Sequence, residues 1–142
     1  MSDGPASVQR SFRLSQATSQ LLDRTTESTG ETRNAAADRL LGEALRTERH
    51  PLIRFRSGAA GRREPHVVGT RLLVRQVVAT VKDHDGSIDE AASYLGVAPR
   101  IVRAAVSFYA DFAAEIDADS SWAHRLEADE RARWEREQNA LA

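Results

Sequence analysis

Gln9, Ser11 and Arg13 occupy alternate positions of Val8-Gln-Arg-Ser-Phe-Arg-Leu14, a spacing that sends all three side chains to one face of a strand. Their chemistry suits base edges. A Gln amide pairs with adenine, a guanidinium with guanine and a hydroxyl with several groups, and a two-stranded antiparallel ribbon is narrow enough to enter the major groove of DNA. The other face carries Val8, Arg10, Phe12 and Leu14, of which Arg10 alone is out of place for burial. For seven residues taken alone, a solvated edge strand that reads nothing is the plainer account. The helical segments downstream of Leu14 favour the ribbon.

A second group with binding chemistry is Thr32-Arg-Asn34, where the exposed amides of a helix start and three hydrogen-bonding side chains suit a phosphate, fixing register without reading bases. A plain capping role for Thr32 accounts for it equally well. Asp83-His84-Asp85 has groups for metal or acid–base chemistry, but it sits at a glycine turn with no companion histidine, so a solvated loop is expected. His50, His66 and His124 lack the paired spacing of a zinc site, and Gly58 and Gly61 lack the lysine and hydroxyl ending of a nucleotide-binding loop. No catalytic residue, cofactor or metal is expected, and the chain reads as a binding protein, not an enzyme.

The elements that must position these groups are legible from caps and periodicity. Ser15 caps a helix with Ala17, Leu21 and Leu22 on its apolar stripe, and Gly30 suits the left-handed residue that closes it. Thr32 caps a second helix with Ala36, Leu40, Leu41, Ala44 and Leu45 on one face. One strand and two helices are too few to enclose a core, so an intertwined dimer is expected.

From Gln9 to Arg46 the chain, with RSFRLSQATSQLLDRTTESTGETRNAAADRLLGEALR, resembles the ribbon-helix-helix family, matching its strand, turn glycine, capped second helix and terminal Ala-Leu pattern. The resemblance implies a dimeric DNA-binding repressor. Its base-reading positions fall on Gln9, Ser11 and Arg13, and its phosphate-contacting helix start on Thr32, Arg33 and Asn34.

His50-Pro51 interrupts the helical pattern, and a new domain is expected from Pro51. Leu52-Ile-Arg-Phe55 reads as a strand, Ser57 to Arg63 as a turn into a basic arm, and Leu72, Leu73, Val74, Val77, Val78 and Val81 as a helix with a strong apolar face. Ser87 caps a short helix, Gly96-Val-Ala-Pro99 makes a turn, and Ile101 to Tyr109 lie on another helix, the order of a helix-turn-helix. Its second helix has only Arg100 and Arg103 near its start and then Asp111 and Glu115, so packing or dimerisation is preferred over DNA reading. Through Ile53, Phe55, Gly58, Gly61-Arg-Arg63, Val68-Gly-Thr-Arg71 and the helical pair ending near Phe112, residues 51–115 resemble the small bacterial domain of unknown function 433. That resemblance implies an antitoxin, often encoded beside a PIN-like nuclease toxin.

Charge divides the rest. Pro51 to Lys82 holds seven Arg or Lys against one Glu, and Asp83 to Ala142 six against thirteen acids, although the whole chain has a net charge of −1. Residues 116–142 therefore read as an acidic tail for docking a basic toxin: Trp122, Leu126 and Trp134 as apolar anchors, and Asp117, Asp119, Glu127 and Asp129 set against its catalytic surface. The same residues can instead fold back on their own domain.

The expected architecture is mainly α: a flexible arm over 1–7, a ribbon-helix-helix unit over 8–48, a small helical domain with helix-turn-helix-like organisation and a short β arm over 51–115, and the tail. Cysteine is absent, which rules out disulfides and thiolate chemistry and leaves the redox compartment unread. No signal-like start or membrane-length apolar run is seen, so a cytoplasmic protein is expected, with operator double-stranded DNA, a toxin and a second copy as partners, a higher oligomer being an option. A stand-alone DNA regulator without a toxin is the alternative.

Overall fold

The computed structural model describes residues 6–142; residues 1–5, part of the arm expected to be flexible, lie outside the described residues. The chain is mainly helical with one small antiparallel hairpin. In order it forms α1 (Gln16–Thr29), α2 (Arg33–Arg49), β1 (Ile53–Ser57), a 3-10 turn (Ala59–Gly61), β2 (Arg63–Val67), α3 (Val74–Asp83), α4 (Ile88–Leu95) and α5 (Pro99–Ala140). Among the described residues no helix is long and apolar enough to cross a membrane.

Contacts divide the chain into one unit ending at Gly42 and another beginning at Glu43, a division inside α2 and not at Pro51. Ion pairs fall on the same side of it. Glu43 binds Arg63 of β2, Arg46 binds Glu115, and Arg49 and His50 both bind Asp111 of α5, so the last turns of α2 fold with the hairpin and α5.

In the first unit the caps follow the sequence. Ser15 Oγ accepts the Thr18 N–H at 3.1 Å, Gly30 takes φ 75° and returns its N–H to the Thr26 carbonyl, and Thr32 Oγ1 accepts the Ala35 N–H at 3.1 Å. The segment before Ser15 differs from expectation, since residues 6–15 form neither helix nor strand within the single chain. A strand needs a neighbour to receive its hydrogen bonds, and none of the chain's own described segments pairs with it.

The second unit is built around α5. Ile53 stands opposite Val67 in the hairpin, both fully buried, and Pro65, which has no N–H to donate, stands opposite Phe55. On α3 the buried Val74, Val77, Val78 and Val81 follow the helical repeat, and Gln76 Oε1 accepts the Leu73 N–H at 3.0 Å at its start. Ser87 caps α4, Gly96 ends it at φ 70°, and Pro99 opens α5, where a missing N–H costs nothing. These elements enclose Val102, Ala105, Phe108 and Ile116 of α5.

No break separates a domain at 115 from a tail at 116. The α5 helix runs unbroken except for a kink at Phe112 (φ −131°, ψ 38°), and its buried residues continue to Ile116, Asp119 and Ala123. Past Ala123 it continues as a largely solvent-exposed helix, with Glu127 and Asp129 each four residues before an arginine. The charge that reads as a boundary in the sequence lies on one long helix, partly engaged by its own unit up to Ala123 and solvated beyond it.

Gly58 has a steric duty in the hairpin turn. A Cβ there would stand 2.9 Å from Glu64 Oε2, and Glu64 is 3% exposed with its other oxygen held by Arg75 at 2.8 Å. Gly58→Ala is expected to cost about 1–3 kcal/mol, the range for overfilling a packed site, read by urea denaturation. A loss below a few tenths would mean that Glu64 can move aside.

Candidate functional site

Gln9, Ser11 and Arg13 are exposed and make no hydrogen bond or ion pair with the described chain. Beside them Phe12 and Leu14, with Leu21, Leu22, Leu40 and Leu41 of the two helices, line an open hollow of about 660 Å³. Phe12 is 68% exposed, Leu21 60% and Leu41 50%, and the one fully buried side chain of the unit's helices is Ala36. The unit gathers its large apolar groups and leaves them open on one side.

At the start of α2, Thr32 takes up the Ala35 and Ala36 amides, and the Arg33 and Asn34 amides make no backbone hydrogen bond. Arg33 reaches Asp23 at 3.0 Å across an exposed surface, a pair worth at most about 1 kcal/mol, which a phosphate can displace. Donors for an anion therefore remain where the sequence put them.

The residues expected to meet a toxin fall into two sets. Asp117 accepts from the Tyr109 hydroxyl at 2.9 Å, and that hydroxyl in turn receives a hydrogen bond from Lys82. Asp119 is 8% exposed and accepts from Arg62 at 2.8 Å, while the same guanidinium lies 5.1 Å from the centre of the Trp122 ring. These three side chains work within their own unit. Glu127, Asp129 and Trp134 are exposed, and Leu126 lies between the sets, lining with Trp122 and Ala123 a slot of about 210 Å³.

Burial pushes the Asp119 carboxyl above its usual value, against the opposing pull of Arg62. Its folded-state value thus exceeds the unfolded one, so this carboxylate's contribution to stability falls as pH rises through the interval between them. Asp119→Asn keeps an acceptor for Arg62 and removes the charge. The variant is expected to match or slightly exceed the wild type in thermal midpoint at neutral pH and to lose ground to it as pH falls into the carboxylate range. A variant clearly less stable at neutral pH would show that the ion pair outweighs the burial.

Sequence reasoning missed the pairs that answer three of the seven cations of the basic stretch: Arg62 with Asp119, Arg63 with Glu43 and Arg75 with the buried Glu64. The one signal was Glu64, a lone acid among seven cations. In the Asp83-His84-Asp85 turn, His84 Nδ1 lies 2.8 Å from the Thr80 carbonyl and its ring is tilted against Tyr94, and Asp85 takes φ 54°. Among the described residues no three His, Asp or Glu side chains converge as a metal site. No protein-family model, no curated protein and no solved structure matches this chain.

Proposed function

We propose that the chain is a cytoplasmic antitoxin of a type II toxin–antitoxin pair. It acts as a homodimer whose amino-terminal units form a ribbon-helix-helix head on operator DNA, repressing its own operon. The second unit, whose residues 51–115 we read as a domain of the unknown-function 433 kind with α4 and α5 in helix-turn-helix order, carries the toxin, a PIN-like ribonuclease, on the outer part of α5. The observation that carries this reading is the open apolar hollow of the first unit beside three unengaged polar side chains of base-reading type. A unit so small with so little buried needs a second copy to close it.

Toxin capture falls to Leu126, Glu127, Asp129 and Trp134, because Asp119 and Trp122 are engaged with Arg62. The test is co-expression with the adjacent gene product, followed by light scattering on the purified complex. A truncation after Glu115 would remove Ile116 and Ala123 from the core, so the informative variant is Trp134→Ala, an exposed side chain. Loss of a buried tryptophan anchor is expected to weaken the complex at least about tenfold. No complex with the wild-type chain would favour the stand-alone regulator, a reading that the inward engagement of Asp117, Asp119 and Trp122 also supports.

A further inference from the structure

The seven cations between Pro51 and Lys82 sort into two groups. Arg62, Arg63 and Arg75 are bound to carboxylates, and Lys82 donates to the Tyr109 hydroxyl. Arg54, Arg56 and Arg71 have no carboxylate partner among the described residues. Arg54 and Arg56 are alternate residues of β1, so they share the hairpin face opposite the buried Ile53. Arg54 stands across from His66, and Arg56 Nη2 donates to the Arg71 carbonyl at 3.0 Å, which brings the third arginine alongside.

We infer that this hairpin face, with Arg54 and Arg71 exposed and Arg56 half-buried beside them, is a second nucleic-acid surface that holds the phosphate backbone of double-stranded DNA. Arg54 and Arg71 are exposed without a carboxylate partner among the described residues, and a multivalent anion relieves the repulsion between like charges held on one surface. His66 reports the crowding: burial first, and then the charge of Arg56, hold its imidazole below the usual histidine range, and its buried Nδ1 has no hydrogen-bond partner among the described residues. Glu64, which faces Arg56 across the hairpin, is already held by Arg75, and Glu127 and Glu130 share a slot wall with Arg56 without pairing to it.

Phosphate fits better than an acidic protein. All three cations are guanidinia, which grip phosphate with two parallel bonds. The exposed apolar side chains flanking them are Leu52 and Val68, and the one aromatic that shares a slot with Arg56, Trp122, is already covered by Arg62. Such a surface carries no base code; it strengthens binding to any duplex and leaves the choice of sequence elsewhere. The inference extends the DNA-binding reading of the first unit but concerns different residues.

The experiment is a salt titration of the full chain on a random-sequence duplex and on a duplex from upstream of its own gene, followed by fluorescence anisotropy. The triple variant Arg54→Ala, Arg56→Ala, Arg71→Ala is expected to bind both duplexes at least about tenfold more weakly. The slope of log affinity against log salt should shrink by about 2–3, near one for each phosphate no longer neutralised. The triple Arg→Lys variant, which keeps the charge, should recover most of both. Unchanged affinity and slope in the alanine variant would overturn the inference even if the upstream duplex is preferred. Arginine-dependent binding with no preference for the upstream duplex would uphold it and remove the operator reading. Intact DNA binding with loss of the adjacent gene's product would assign the face to a protein partner and overturn it.

Discussion

If the first unit is the proposed DNA-reading dimer, Leu41→Glu should give a monomer that no longer binds the upstream duplex, while the second unit keeps its melting transition. Leu41 is 50% exposed in the single chain and lies on the wall of the apolar hollow with Phe12, Leu21, Leu22 and Leu40. Closing that hollow with a second copy buries Leu41 twice by symmetry, at about 1.5–3 kcal/mol for each leucine. The glutamate forfeits this and places two carboxylates in an apolar seam. The sum exceeds about 4 kcal/mol, or roughly a thousandfold in the dimer constant. Light scattering and circular dichroism on the variant check both halves of the expectation. A Leu41→Glu chain that remains dimeric and binds DNA would place the dimer contact elsewhere.

Phe108→Ala should produce the largest loss of stability in the second unit, about 3–5 kcal/mol, as expected for an aromatic removed from a packed interior. Phe108 is 0% exposed, and its ring centre lies 5.2 Å from that of His50, 6.2 Å from Phe55 and 4.8 Å from Phe112. One side chain therefore ties the end of α2 and the hairpin to α5 at its kink. By contrast, Arg49→Ala removes an exposed pair with Asp111 and should cost less than about 1 kcal/mol. Denaturant titrations of the two variants supply the comparison. A Phe108→Ala loss near that of Arg49→Ala would mean that the surrounding rings close over the space.

The parts of the fold legible in the sequence are those that local rules determine. Ser15, Thr32 and Ser87 cap their helices and Gly30 and Gly96 end theirs, because a cap is decided within four residues. The buried valines of α3 follow from period alone. The long-range pairs escaped for the opposite reason. Nothing local joins Arg62 to Asp119 across 57 residues, or Arg46 to Glu115 across 69, so Asp119 reads in the sequence as a group set against a toxin. The same cause moved the expected domain start to Pro51, where the helix ends, although the ion pairs that tie the end of α2 to the second unit begin at Glu43.

The candidate site was legible unevenly. The alternation that sets Gln9, Ser11 and Arg13 on one face is a strand pattern without a partner strand among the described residues, so a single copy leaves it unpaired. On α5, helical spacing correctly linked Trp122 with Leu126, both of which line one slot. Spacing could not reveal that Arg62 already covers Trp122, or that Trp134 lies past the last buried residue, Ala123. Whether an aromatic group on a helix anchors its own core or a partner depends on where the rest of the domain ends.

Operator binding, repression and the closing of the apolar hollow all require the first unit to be half of a DNA-reading dimer. Light scattering on the full chain at micromolar concentration, alone and with the duplex from upstream of its gene, decides that point. A particle of twice the 15.7 kDa chain mass is expected, and a complex holding an even number of chains on the duplex. A particle of 15.7 kDa that leaves the duplex unbound would rule the dimer out, and the proposed head with it.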